Sequence, residues 1–334
     1  MSTQDTSAEP DVGPELGLSP EEPLLEGRPP AGPSLSPSRA ADFMTCPLLY
    51  RYRVIDRIPE APSPAATRGT LLHSVLERLF DIPAAERTLE RATSMLAPQW
   101  EQLLSDEPEL AVLLDAPPPA AGAADAEPDS AQPGAGGLPA FLDGAEALLA
   151  RYFELEDPRR LEPAERELRV EVELGSGLLL RGFVDRLDVS PAGDMRVVDY
   201  KTGRAPSPGF EAKAMFQMRF YALVLWRLYG RVPRLLQLLY LGSGEVLRYE
   251  PDEADLRATE TKVQALWRAI ERATETGDWR PSPSRLCDWC DHRESRCPAW
   301  GGTALPLPEP AAVSALPLVQ VGSGSDQGRG QGDP

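Results

Sequence analysis

From residue 36 to about 155 the apolar positions recur at helical spacing. Ser36 followed by Pro37 reads as an N-cap with proline at the first helical position, opening a helix that runs to about Thr45 and stops at Pro47. A second helix is expected from about Arg68. There Leu72, Val75, Leu76 and Leu79 make an apolar stripe, while His73 and Glu77 sit four apart on a different face. Helical sequence continues to about Leu104, and another helix is expected from about Pro139 to Leu155. In ELRVEVEL the period becomes two, with Leu168, Val170, Val172 and Leu174 on one face of a half-buried strand. Turns at Gly175-Ser176-Gly177 and at Ser190-Pro191-Ala192-Gly193-Asp194 set off LLLRGFVDRLDV and MRVVDYK, so the segment reads as a three-stranded antiparallel meander. A long helix from about Glu211 to Tyr229, strands in LLQLLYL and VLRYE, and a helix over about 252–275 complete an α+β or mixed α/β order without internal repeats.

The second turn predicts a register. Pro191 suits the first central position of a type I turn and Gly193 the left-handed position after it, giving a three-residue hairpin loop with a bulge. Ser190 then faces Asp194, Asp185 lies directly opposite Asp199, and Phe183 lies opposite Lys201. Alternation puts Asp185, Asp199 and Lys201 on one face. Two like charges directly opposed are destabilising unless something compensates them. A divalent cation such as Mg²⁺, which favours carboxylate oxygen, is the obvious candidate. Lys201 beside it can neutralise developing charge or help orient and deprotonate a water, which makes a workable phosphodiester-hydrolysis site. The same short pattern also fits a surface hairpin in which Lys201 pairs with Asp199 in solvent.

Composition bears on what else the chain can be. No window approaches a membrane span in apolar length, and the N-terminus MSTQDTSAEPDVGPE lacks the order of a secretion signal, so a cytoplasmic protein is expected. No phosphate-cradling GxxxxGK[ST] motif is present, so the chain is not an NTP-driven motor by itself, and two histidines exclude any site that needs three. A net charge of -18 argues at first against a nucleic-acid partner. Position changes that reading. Residues 1–33 carry a net -6, residues 105–143 carry -8 and residues 301–334 carry -2. These are also the Pro/Gly/Ala/Ser-rich parts, which cannot bury enough apolar area to fold, so disordered acidic arms around a nearly neutral core are expected. The expected organisation is an N-terminal arm over 1–33, one folded domain over 34–300 with an insertion at about 115–138, and a C-terminal tail over 301–334. Only three lysines occur among 34 basic residues, and Lys201 is one of them. Arg stays charged essentially always, whereas Lys is a compact point charge whose pKa can shift.

All four cysteines fall into one pattern: Cys287, Cys290 and Cys297 form C-x2-C-x6-C, and Cys46 stands far upstream beside Pro47. Without a secretory signal a disulfide framework is not expected. Four thiolates suit zinc or an iron–sulfur cluster, and spacing leaves both open. His292 could replace one ligand in a zinc site, leaving a cysteine over.

SPSRAADFMTCP, GTLLHSVLE, GFVDRLD, VVDYKTG and QMRFY, in this order across residues 36–297, resemble the RecB-type exonuclease family of the PD-(D/E)XK nuclease superfamily. The resemblance implies a restriction-endonuclease-like core, a central mixed sheet flanked by helices. It implies that His73, Asp185 and Asp199 are ligands for Mg²⁺ or Mn²⁺, that Lys201 is the catalytic lysine with Asp185 and Asp199, and that Gln217 and Tyr221 contact substrate. Glu77 is a weaker candidate. A distant first cysteine plus a C-terminal triplet resembles the iron–sulfur branch, which implies that Cys46, Cys287, Cys290 and Cys297 hold a [4Fe–4S] cluster stapling the two ends of the domain, with zinc second. The expected function is a metal-dependent DNA nuclease, an exonuclease of repair or recombination, with any helicase or repair subunit a separate chain. A catalytically weak scaffold subunit, or a zinc-stapled interaction protein, is the alternative.

Overall fold

The computed structural model describes residues 33–114, 137–207 and 211–307. The expected acidic arm through residue 32, the insertion over 115–136 and the tail from 308 lie outside the described residues. Residues 301–307, expected to belong to the tail, pack on the domain, where Arg51 donates to the carbonyls of Leu305 and Pro306.

The chain enters through a two-residue strand, β1 (Ser34–Leu35), and turns into α1 (Pro37–Thr45), whose Ser36 side chain caps the Arg39 N–H. Next come α2 (Pro47–Tyr50) and a π-helical turn over Arg51–Ile55, neither of which the periodicity announced. The helix expected from Arg68 begins earlier: α3 spans Pro64–Leu79, with Ser63 as N-cap and Pro64 in the first turn. The helical stretch that follows is interrupted. α4 (Leu89–Asp106) starts afresh at the Thr88 cap and is followed by α5 (Gly137–Leu155).

Three antiparallel strands follow, β2 (Glu165–Glu173), β3 (Leu179–Val189) and β4 (Met195–Lys201). Helix α6 (Glu211–Tyr229) crosses over to β5 (Leu235–Tyr240), which lies parallel to β4. β6 (Glu245–Tyr249) returns antiparallel to β5, and α7 (Glu253–Thr276) closes the main body. Six strands thus form one mixed sheet in the order β1-β3-β4-β5-β6, with β2 on β3. One core joins the sheet to α6 and α7 through Val184, Val197, Phe220, Leu223 and Val263. The other packs α3, α4 and α5 against Val198, Tyr200, Leu239 and Leu241. This is the expected mixed sheet between helical layers.

β3 positions the site. β2 runs along one edge of it. The other edge is divided, because β1 pairs at Leu179–Leu180 and β4 at Arg186–Val189. Among the described residues no strand covers that edge between these two stretches, and the fork there holds the candidate chemistry.

Candidate active site

The turn chemistry sets the register as expected. Gly193 has φ +80°, its N–H donates to Ser190 O at 2.8 Å, and the Ser190 N–H donates to Asp194 O at 2.9 Å. The β3–β4 ladder runs from Val189↔Met195 to Arg186↔Val198 and stops one pair before Asp185 and Asp199. There the strands part, and the Tyr200 N–H turns to Asp185 Oδ2 at 2.9 Å.

The side chains at this fork form two groups. In the first, His73 of α3 brings Nδ1 to 3.5 Å from Asp185 Oδ2 and 3.6 Å from Glu167 Oε1. Its Nε2 lies 3.0 Å from Tyr200 O. A carbonyl only accepts, so Nε2 carries the hydrogen and, in the neutral ring, Nδ1 turns its lone pair toward the carboxylates. One donor atom from each of His73, Glu167 and Asp185 lies within 4.8 Å of the others. In the second group Asp199, 1% exposed, accepts from Gln217 Nε2 at 2.8 Å, and Lys201 Nζ donates to Gln217 Oε1 at 3.1 Å. Lys201 Nζ is also 2.7 Å from Asp199 Oδ2, so the ammonium compensates the charge of this buried oxygen. Such burial sets the pair apart from a solvated hairpin.

The expectation of one shared face is therefore modified. Asp185 joins His73 and Glu167, Asp199 joins Lys201 and Gln217, and the two groups feel each other through charge. Burial, then Asp199, pushes the Asp185 carboxyl up to about 7. Burial pulls the His73 ring down, but Asp185, Glu167 and Asp199 reverse this and hold its proton up to about 9. Burial also works against the charged form of Lys201, and Asp199 and Asp185 outweigh it, so the ammonium stays protonated. Lys201 is thus a cation here rather than a base.

Glu167 is the residue that sequence reasoning missed. It has φ +44°, rare for a residue with a side chain, and its pairing with Asp185 is the one omitted from a β2–β3 ladder running from Glu165↔Leu187 to Glu173↔Leu179. The signal was present. Gly175-Ser176-Gly177 makes the same kind of loop as the second hairpin, with Gly177 at φ +80° and Leu174 N–H donating to Leu178 O at 2.9 Å. Its register places Glu167 opposite Asp185. Glu77, one helical turn beyond His73, lines the same small cavity.

Gln217 spends both ends of its amide on the site's own residues. Tyr221 is 6% exposed and lies beneath Gly182, where a Cβ would come within 2.7 Å of its ring. As placed, the first orients Asp199 and Lys201 and the second supports β3. Three acceptor-rich side chains in reach of one point, with the buried Asp199 carboxylate beside them, fit a hard divalent cation.

The cysteines line a separate cavity of about 220 Å³ between the N-terminal helices and the C-terminal segment. Cys46 joins α1 to α2, and Cys287, Cys290 and Cys297 come from the turns after α7. Backbone N–H groups of Ser282 and Ser284 point at Cys46 Sγ and Cys287 Sγ, each at 3.3 Å. No three of the sulfurs lie within 4.8 Å of one another, wider than the roughly 3.8 Å edge of a tetrahedral zinc site. His292 lines the same cavity, with its Nε2 3.2 Å from Glu60 Oε1 and its ring edge-on to Tyr52.

Two curated relatives match over most of their length. The Gene 69 protein of Mycobacterium phage L5 is 26% identical over 307 residues, covering 80% of this chain and 97% of that protein. The Gene 69 protein of Mycobacterium phage D29 is 25% identical over 291 residues, with the same coverage of 80% and 97%. A crystal structure from Eubacterium rectale described as "Putative exonuclease" superposes with a TM-score of 0.47 at 15% identity, covering 78% of this chain and 87% of that one. The profile of the PD-(D/E)XK nuclease superfamily matches residues 34–298, from β1 through the last cysteine, and the chain belongs to that superfamily of phosphodiester hydrolases.

Proposed function

We propose that this protein is a divalent-metal-dependent deoxyribonuclease of the RecB type that works from DNA ends, in repair or recombination. The observation that carries the reading is the fork between β3 and β4, where His73, Glu167 and Asp185 converge beside the Asp199–Lys201–Gln217 triad. A Mg²⁺ or Mn²⁺ held by His73, Glu167, Asp185 and Asp199 would supply Lewis acidity toward a phosphate oxygen. The protein's own part is positional. The Tyr200 carbonyl holds the His73 tautomer, and its N–H holds Asp185. Gln217 holds Lys201 against Asp199, so a fixed positive charge waits where negative charge develops on the phosphate. Among the described residues no helix is long and apolar enough to cross a membrane.

The second cavity we assign to a structural [4Fe–4S] cluster, supported by four thiols around one space and the N–H groups aimed at two sulfurs.

The test is cleavage of linear and circular DNA with Mg²⁺ or Mn²⁺, on protein purified without oxygen, beside Asp199→Asn. Loss of linear DNA alone, abolished in the variant, establishes an end-dependent nuclease. Cutting of circles means an endonuclease, and no metal-dependent cleavage with DNA binding retained means a scaffold subunit. Iron and sulfide content with visible absorption tests the cluster, and zinc in their place overturns it.

A further inference from the structure

The buried guanidinium of Arg181 has no role in the site described above. It is 1% exposed, and none of its three nitrogens has a hydrogen-bond partner. An unpaired buried charge is costly, so a protein that keeps one invites an anion. The residue across the ladder, Glu171, could have paired with it, but its carboxylate is taken by Arg169 at 2.7 Å. No other carboxylate among the described residues pairs with it. Burial, followed by the like charge of Arg39, pulls its pKa down to about 10, so it remains ionised at neutral pH.

Its place on β3 says what the anion is. Leu180 and Val184 point into the core, so Arg181 and Phe183 face the other way, on the stretch of β3 whose edge no strand covers among the described residues. Phe183 is two residues, about 7 Å, from Asp185, and Arg181 four residues, about 13 Å. Phe183 is 42% exposed, with Arg169 opposite it on β2. An exposed ring followed by a guanidinium with free donors, leading away from a phosphodiester-hydrolysing centre, is the pattern by which proteins hold a single nucleic-acid strand.

We propose that Phe183 and Arg181 form a substrate subsite: Phe183 stacks on an unpaired base next to the scissile phosphate, and Arg181 takes a phosphate beyond it. This deepens the nuclease reading and rests on it.

The test uses the full chain with its metal and compares wild type, Arg181→Met, Arg181→Lys and Phe183→Ala on a duplex with a single-stranded tail and on a blunt duplex. Removing an unpaired buried charge leaves the melting temperature of Arg181→Met at or above wild type, while KM for the tailed substrate rises about tenfold and kcat stays within about twofold. Its plot of log affinity against log salt loses a slope of about 0.7, one phosphate on a single strand. Arg181→Lys keeps the charge without the fork and falls between. Phe183→Ala weakens the tailed substrate alone and leaves the salt slope unchanged. An Arg181→Met enzyme with unchanged KM and slope overturns the subsite while the nuclease stands. So does one that binds more tightly, since Arg181 would then serve the chain's own acidic segments. A wild type that neither binds nor cuts DNA removes the nuclease reading and the subsite together.

Discussion

In the metal-free protein the surroundings favour the protonated forms of Asp185 and His73, and a cation would have to displace those protons. His73 carries a folded-state pKa above its unfolded value, so its contribution to stability is present below the unfolded value and lost as pH rises through about 9. Asp185 is also raised, contrary to the usual carboxylate, so the fold favours its proton and loses stability as pH rises from the ordinary carboxylate range through about 7. The metal-free protein therefore weakens with pH across this window, whereas metal binding, which needs both groups deprotonated, strengthens. The rise in melting temperature on adding Mn²⁺ should be larger at pH 8.5 than at pH 6, with protons released on binding. A rise independent of pH would mean that neither group holds the ion. Glu167→Gln keeps the volume and removes the charge. It should weaken Mn²⁺ binding at least tenfold by titration calorimetry with little change in melting temperature, and unchanged affinity would exclude Glu167 from the site.

At the scale of elements, the close approach of β3 to α6 depends on Gly182. A methyl there would meet the Tyr221 ring at 2.7 Å and Pro37 at 3.4 Å, and Tyr221 is wedged in the core. Gly182→Ala should cost about 1–3 kcal/mol, the range for overpacking, by chemical denaturation. Adding Tyr221→Leu should recover part of it, and a variant as stable as wild type would show that the two elements yield. This crowding was not legible in the sequence. The helix expected over about 211–229 was, because its apolar run is long and ends at Gly230. The start of α3 was misplaced by four residues because Ser63-Pro64 lies before the apolar stripe begins. The face change of β2 at Glu167 was also hidden, since alternation assumes that every residue keeps negative φ.

Across the whole molecule the two ends of the domain meet before any cluster is considered. Tyr50 stacks on Trp279, the Tyr52 hydroxyl donates to Arg296 O at 2.7 Å, and Arg51 reaches Leu305 and Pro306. The proposed cluster would then staple an interface that already exists. Cys290→Ser should lose visible absorption and lower the melting temperature, and Tyr52→Phe should cost about 1 kcal/mol while keeping the colour. A colourless wild type with full stability would remove the cluster from the account. Local rules were enough for the sequence to determine the meander, the register that faces Asp185 toward Asp199, the Asp199–Lys201 spacing and the gathering of chemistry-bearing residues into a superfamily pattern. Turn residues and strand alternation are set by backbone sterics within a few residues. The tertiary structure alone decided that the carboxylates divide into two groups, that the Tyr200 carbonyl selects the His73 tautomer, that Glu167 joins the site and that Arg181 is left buried without a partner. Those outcomes depend on burial and on which distant atoms come within hydrogen-bond reach, and the charge of a side chain acquires its meaning only there.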